Sequence, residues 1–175
     1  GQIDDEVYVF GSFIQSKMFH KGVKCADCHD PHTARTYAKG NQLCMRCHSP
    51  KPDNLTLYDS PAHHFHPMGT KGAQCVECHM PEKTYMVVDP RRDHSIRIPR
   101  PDLSVKFGTP NACNRCHDDK DAAWAAAKVE EFKGPNRPRE VRHPEAFHAF
   151  RNRKPEAEKL LLDTVRDLES PSFTR

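Results

Sequence analysis

Apolar positions follow a helical period at four places along the chain. Phe10, Phe13, Ile14 and Met18 fall at i, i+3, i+4 and i+8, on one face of a helix. A second helix is expected over about 121–132, alanine-rich around Trp124, capped by Asp118 or Asp119 and stopped by Gly134-Pro135. Pro144 opens a third, through Phe147 and Phe150. Ala157, Leu160, Leu161, Val165 and Leu168 stripe a fourth, an ordinary packing face. Between the first two the pattern breaks up. Proline and glycine at Pro50, Pro52, Pro61, Pro67, Gly69, Gly72, Pro81, Pro90, Pro99, Pro101, Gly108 and Pro110 discourage long helices or sheets. The expected fold class is therefore mainly irregular loop with short α-helices.

Composition sharpens this picture. Of 175 residues only 36% are hydrophobic, 29% are charged and 15 are proline, with a mean hydropathy of −0.83. Such a chain buries a thin core, and small domains of that kind need a staple or a cofactor. No apolar run approaches a membrane span. A formal charge of +3 is too weak to point to nucleic acid. The start at Gly1 rather than at a methionine fits a mature or trimmed product, so export by a signal peptide already removed is the expected history.

The cysteines carry the chemistry. All eight fall in four copies of Cys-x-x-Cys-His: Cys25, Cys28 and His29; Cys44, Cys47 and His48; Cys75, Cys78 and His79; Cys113, Cys116 and His117. This is the attachment pattern of haem c. Two thiols three residues apart reach both vinyl groups of one porphyrin, and the next residue supplies the proximal nitrogen to iron. Zinc sites would leave the histidine after every second cysteine unexplained. A disulfide framework does not pair cysteines three apart four times, and a thioredoxin-like dithiol occurs once beside a βαβ pattern that is missing here. Four covalently attached haems c, with their iron, are expected.

Eight of the twelve histidines remain after the proximal four, and six-coordinate irons need only four more ligands. His32 stands three residues after His29 and can reach a neighbouring iron. In the His63-His64-Phe65-His66 cluster an extended strand would turn His64 and His66 to one side and His63 to the other. His94 follows Arg91-Arg92-Asp93, far from any motif. His20 completes the candidate distal set, whereas His143 and His148 lie in the helical tail. Met18, Met45, Met68, Met80 and Met86 are alternative sixth ligands, but abundant histidine favours bis-histidine coordination and hence lower potentials.

The motifs are spaced by 19, 31 and 38 residues, too irregular for identical repeats. A multihaem cytochrome c fold organised around four packed haems is expected, with a tetrahaem domain over 1–132 and a helical segment over 133–175 that opens a helical array. Eight propionates and four ferric centres would bring the net charge to about −1. Arg91, Arg92, Arg97, Arg100 and Lys106 are accordingly expected as propionate partners rather than as a nucleic-acid patch.

Three stretches also carry a resemblance. They are Ser60 to His66; Cys75 to Pro81 continuing through Tyr85-Met86-Val87-Val88-Asp89-Pro90-Arg91-Arg92-Asp93-His94-Ser95; and Pro99 to Ser104 followed by Gly108 to Cys113. Over about 11–124 the chain resembles bacterial multihaem cytochromes whose haem domain is related to the nitrifier tetrahaem cytochrome and the pentahaem nitrite reductase type, often followed by tetratricopeptide-like repeats. The resemblance implies a periplasmic or extracellular location and haems alternating in parallel and perpendicular pairs. It also implies distal ligands at His32, in the His63–His66 cluster and at His94. Electron transfer is the expected function, with redox proteins or neighbouring copies as partners, including the variant in which copies stack into a conductive filament. An enzyme of the nitrite or hydroxylamine type would need an open iron, and all four motifs end in histidine. A haem-based sensor or scaffold is the third reading.

Overall fold

Proline and glycine set the ends of many of the elements. The computed structural model describes residues 9–137, 143–170 and 175. Contacts divide the chain into two compact units, Gly1–Ile98 and Pro99–Arg175. The fourth motif therefore shares a unit with the C-terminal helices, whereas the line at 132/133 follows motif content alone.

The first unit holds short helices α1 (Phe10–Phe13), α2 (Lys17–His20), α3 (Cys25–Cys28), α4 (Asn41–His48), α5 (Pro61–His64) and α6 (Cys75–His79), then strands β1 (Glu82–Tyr85) and β2 (Asp89–Arg92). The single helix expected through Phe10 and Met18 is two turns broken at Ser16, which is extended and whose hydroxyl accepts the Phe19 N–H at 3.1 Å to start α2. Serine competes for backbone donors in this way and so favours a cap over a helix interior. The expected extended strand at His63–His66 is corrected as well. Pro61 opens a helical turn at Ser60-Pro61, and Phe65 ends it in the left-handed region at φ 59°.

Strands β1 and β2 pair antiparallel in register Glu82 with Arg92 through Tyr85 with Asp89. Pro90 is tolerated because a two-stranded ribbon is all edge. In the three-residue hairpin tip Met86 and Val87 both take positive φ, 48° and 69°, a region that favours glycine. Holding a β-branched residue there costs about 1–3 kcal/mol, and Tyr85, buried under the Lys83 and Arg91 cations at 5.4 and 5.5 Å, anchors the ribbon against it.

The second unit holds α7 (Pro101–Phe107), α8 (Ala122–Lys133), α9 (His143–Arg151) and α10 (Ala157–Arg166). Pro101 and Gly108, read in sequence as breakers, frame α7 as its first residue and its left-handed stop. The cap of α8 is Asp121, not Asp118 or Asp119; its carboxylate accepts the Trp124 N–H at 2.8 Å. On α10 the inward stripe is Ala157, Leu160, Leu161 and Thr164. Val165 is turned outward, because at 3.6 residues per turn i+7 from Ala157 stays on the stripe while i+8 drifts off it, and Leu168 lies past the helix end. Helices α9 and α10 pack on each other, as do α7 and α8.

Among the described residues the buried apolar side chains are Phe13, Ala73, Tyr85, Ala125, Ala146 and Ala149, and four of these six are alanine. Each alanine methyl contributes only about 0.8 kcal/mol on burial, so this protein core is thin for the chain length. Large apolar side chains stand outside it, among them Leu55 and Val88 at 80% and 81% exposure. No helix among the described residues is long and apolar enough to cross a membrane.

In the second unit, Asp102 accepts Nε and Nη2 of Arg100 at 2.9 and 2.7 Å and Nη2 of Arg137 at 3.1 Å. The Arg100 hydrogen bonds lead in holding its carboxyl down to about 2. The stabilisation is present above the ordinary carboxylate range and is lost as pH falls toward 2. Chemical denaturation should show Asp102→Asn costing about 1 kcal/mol at pH 6, after allowance for partial exposure, and near nothing at pH 2. Equal costs at both values would remove Asp102 from the stability account.

Candidate functional site

A single helical turn places residues i, i+3 and i+4 on one face. Each Cys-x-x-Cys-His motif occupies such a turn: α3 for the first, the end of α4 for the second, α6 for the third, and a 3₁₀ turn over Cys113–Arg115 for the fourth. The turn is closed in the first and fourth motifs by His29 N–H to Cys25 O at 2.9 Å and His117 N–H to Cys113 O at 3.0 Å. Asp27, inside the first motif, accepts the Lys24 N–H at 2.7 Å and fixes the start of its helix. Two thiols and an imidazole thus share a face four times. Among the described residues no three His, Cys, Asp or Glu side chains converge as a bare metal ion requires, so the donor sets suit a group that spreads its attachments over a plane.

The histidine tautomers fit the same group. Nδ1 of His29, His79 and His94 lies 2.8, 2.9 and 2.9 Å from the carbonyls of Ala34, Arg97 and Arg92. A carbonyl only accepts, so each proton is on Nδ1 and the lone pair on Nε2, the arrangement of a metal-binding imidazole. His66 does the same with the His64 carbonyl. His64 is the reverse: its Nδ1 accepts the His66 N–H at 3.2 Å, and its Nε2 is buried without a hydrogen-bond partner.

Long-range folding brings two histidine pairs together. The rings of His29 and His94 lie 6.3 Å apart, centre to centre, with 28° between planes. Those of His63 and His79 lie 6.2 Å apart with 12° between planes. Two nitrogens on opposite sides of one metal at about 2.0 Å, each about 1.1 Å from its ring centre, separate the centres by about 6.2 Å. His20 packs edge-on against Phe19 and is exposed. His32 is exposed in a turn where Asp30 accepts its N–H, and no ring contact among the described residues falls on it. His148 packs on Phe107 at 4.6 Å, and His143 is buried beside Phe147 at 5.9 Å.

Sequence reasoning missed several residues that build the site. Asn41, at the start of α4, accepts the Cys75 N–H at 2.9 Å and donates to Ala73 O at 2.9 Å and to Asp59 at 2.7 Å. Tyr58 packs edge-on against both His48 at 5.8 Å and His63 at 5.1 Å. In the fourth motif Asn114 donates to the Lys120 carbonyl at 2.8 Å and accepts from Asn111 at 2.7 Å, while Trp124 of α8 covers the His117 ring at 4.9 Å. Glycine was the one available signal at Gly72, where a Cβ would overlap the His66 imidazole.

The thiols themselves are perturbed where they crowd. A hydrogen bond with the Cys75 thiol draws Cys44 down to about 7, and the same bond pushes Cys75 up. Burial, then the neighbouring Cys44, raises Cys28, and burial raises Cys113. The expected propionate partners also pair within the protein: Arg91 with Asp89 at 2.6 Å, Arg92 with Glu77 at 2.7 Å, Arg100 with Asp102, and Lys106 with Glu145 at 2.6 Å. Arg97 hydrogen bonds only neutral groups, Ser95 Oγ at 2.9 Å and Gln15 Oε1 at 3.1 Å, and its burial draws its pKa down against the pull of Asp93.

Repeated Cys-x-x-Cys-His turns with ligand-type histidines define a protein resembling the multihaem c-type cytochromes, with haem c bound covalently. The doubled CXXCH motif family matches residues 17–53, which hold the first two motifs. No curated protein and no solved structure matches the chain.

Gly72→Ala should destabilise the protein by about 1–3 kcal/mol through overpacking on His66, read by thermal unfolding. In a His66→Ala background the same change should cost under about 0.5 kcal/mol. An undiminished cost there would mean that the ring is not what Gly72 accommodates.

Proposed function

We propose that the chain is an exported electron carrier that holds four haems, one on each motif, and keeps their irons six-coordinate with histidine on both sides. The observation that carries this reading is the approach of two near-parallel imidazole pairs, His29 with His94 and His63 with His79, whose ring centres are as far apart as those of two ligands on one metal. The iron would supply one-electron chemistry, and histidine on both sides favours a low potential. The protein's own residues do the rest. Cysteine thioethers fix each group at two points. Carbonyls of Ala34, Arg92 and Arg97 hold the imidazoles by Nδ1, so their planes do not turn as charge changes. His94 and His63 would hold the metals of the first and third sites from the side opposite His29 and His79, leaving no room for substrate there, which favours a carrier over an enzyme. His66, with the ligand tautomer, is a better distal candidate than His64; His20 and His32 remain distal candidates. Partners are redox proteins that exchange electrons at exposed edges.

The purified protein should show four haems by pyridine haemochrome and a low-spin ferric spectrum, with no change on adding carbon monoxide to the reduced form. His94→Met should raise one of the four potentials and leave the other three near their values. A high-spin fraction that binds carbon monoxide would favour an enzyme or sensor, and unchanged potentials in His94→Met would remove His94 as a ligand.

A further inference from the structure

The second and third motifs are separated by 31 residues from Cys44 to Cys75, yet two sets of contacts join them. The first is a polar latch. Asn41 of α4 spends its side-chain oxygen on the backbone N–H of Cys75, the first residue of α6, and its amide on Ala73 O and Asp59. Cys44, one turn after Asn41 on the same face of α4, is thereby brought beside Cys75 at the start of α6, close enough that each thiol perturbs the other's proton. The second is a row of rings. Tyr58 fills the space between His48, the proximal histidine of the second motif, and His63, which faces His79 of the third. The Tyr58 hydroxyl accepts from Asn54 at 3.0 Å, which holds the wedge in place.

A thiol that has added to a porphyrin becomes a thioether at that porphyrin's edge, so two cysteines held together would bring two porphyrin edges together. We infer that the haems of the second and third motifs form a close pair, joined at the edges carrying Cys44 and Cys75, and that Asn41 positions them. The inference rests on the motifs being haem-attachment sites. It names Asn41 as a residue that acts on electron exchange without touching either iron. The edge-on contacts through Tyr58 set His48 of the second motif and His63, the neighbour of His79, against one ring, so both sets of contacts point to the same pairing.

The test uses the fully loaded protein. In the reduced, diamagnetic state, two-dimensional NMR should show nuclear Overhauser cross-peaks between the Cys44 and Cys75 β protons. In a stepwise oxidation followed on the haem methyl signals, the largest pairwise shift in midpoint among the three haems of the first unit should fall between the second and third. Asn41→Ala should retain all four haems and the low-spin spectrum, while the Cys44–Cys75 cross-peak falls at least twofold and that pairwise shift shrinks. An absent cross-peak in the unaltered protein, or a larger shift for another pair in that unit, overturns the pairing. A full-strength cross-peak and shift in Asn41→Ala overturns the role of Asn41. A haem count other than four would instead count against the proposed function, and haemochrome analysis separates the two failures.

Discussion

One turn of helix is the unit from which the rest of this protein follows. It sets cysteine, cysteine and histidine on one face at i, i+3 and i+4 and asks only for a handful of residues in helical conformation. Isolated helices this short are marginal in water. Three of the turns are tied by side chains to neighbouring chain: by Asp27 at the first, Asn41 at the third, and Asn114 with Trp124 at the fourth. The apolar side chains that would normally do this work are few, and the largest share of those buried are alanines. Covalent attachment at two sulfurs per turn suits such a chain, since it adds constraint without asking for more apolar sequence.

Much of the site was legible in the sequence because its chemistry is local. The four motifs, the proximal histidines, the helices around Trp124, Phe147 and Leu160, and the loop-rich character all follow from spacing within a few residues. What escaped depends on contacts between distant positions. Asn41 looks like any polar residue until Cys75 arrives beside it, 34 residues later. The facing of His29 by His94 crosses 65 positions and has no periodic trace. The His63–His66 cluster was misjudged for a local reason: Pro61 suits the first turn of a helix as well as an extended segment, and the left-handed Phe65 then redirects the chain. Gly108 carried the same ambiguity, breaker or stop, and the structure uses it as the stop of α7.

The basic residues show how charge is apportioned in so polar a chain. Arg91, Arg92, Arg100 and Lys106 each meet a carboxylate from their own unit, which cancels most of the positive field of that stretch locally. Exposed pairs of this sort contribute little individually. Their effect lies in geometry: Arg92 ties β2 to Glu77 inside the third motif, and Lys106 ties α7 to α9. Arg97 differs, since it is half-buried or more among neutral partners while its carbonyl holds His79.

The bonds from Nδ1 to backbone carbonyls reach beyond orientation. A carboxylate in the same place would be able to take up a proton when the metal beyond the ring gained an electron, and the two movements would then be linked. A peptide carbonyl has no such capacity in the physiological range. His29, His79 and His94 are all anchored in this way. Under the proposed reading, charge arriving at these sites would travel without a proton taken up at the far side of the ring.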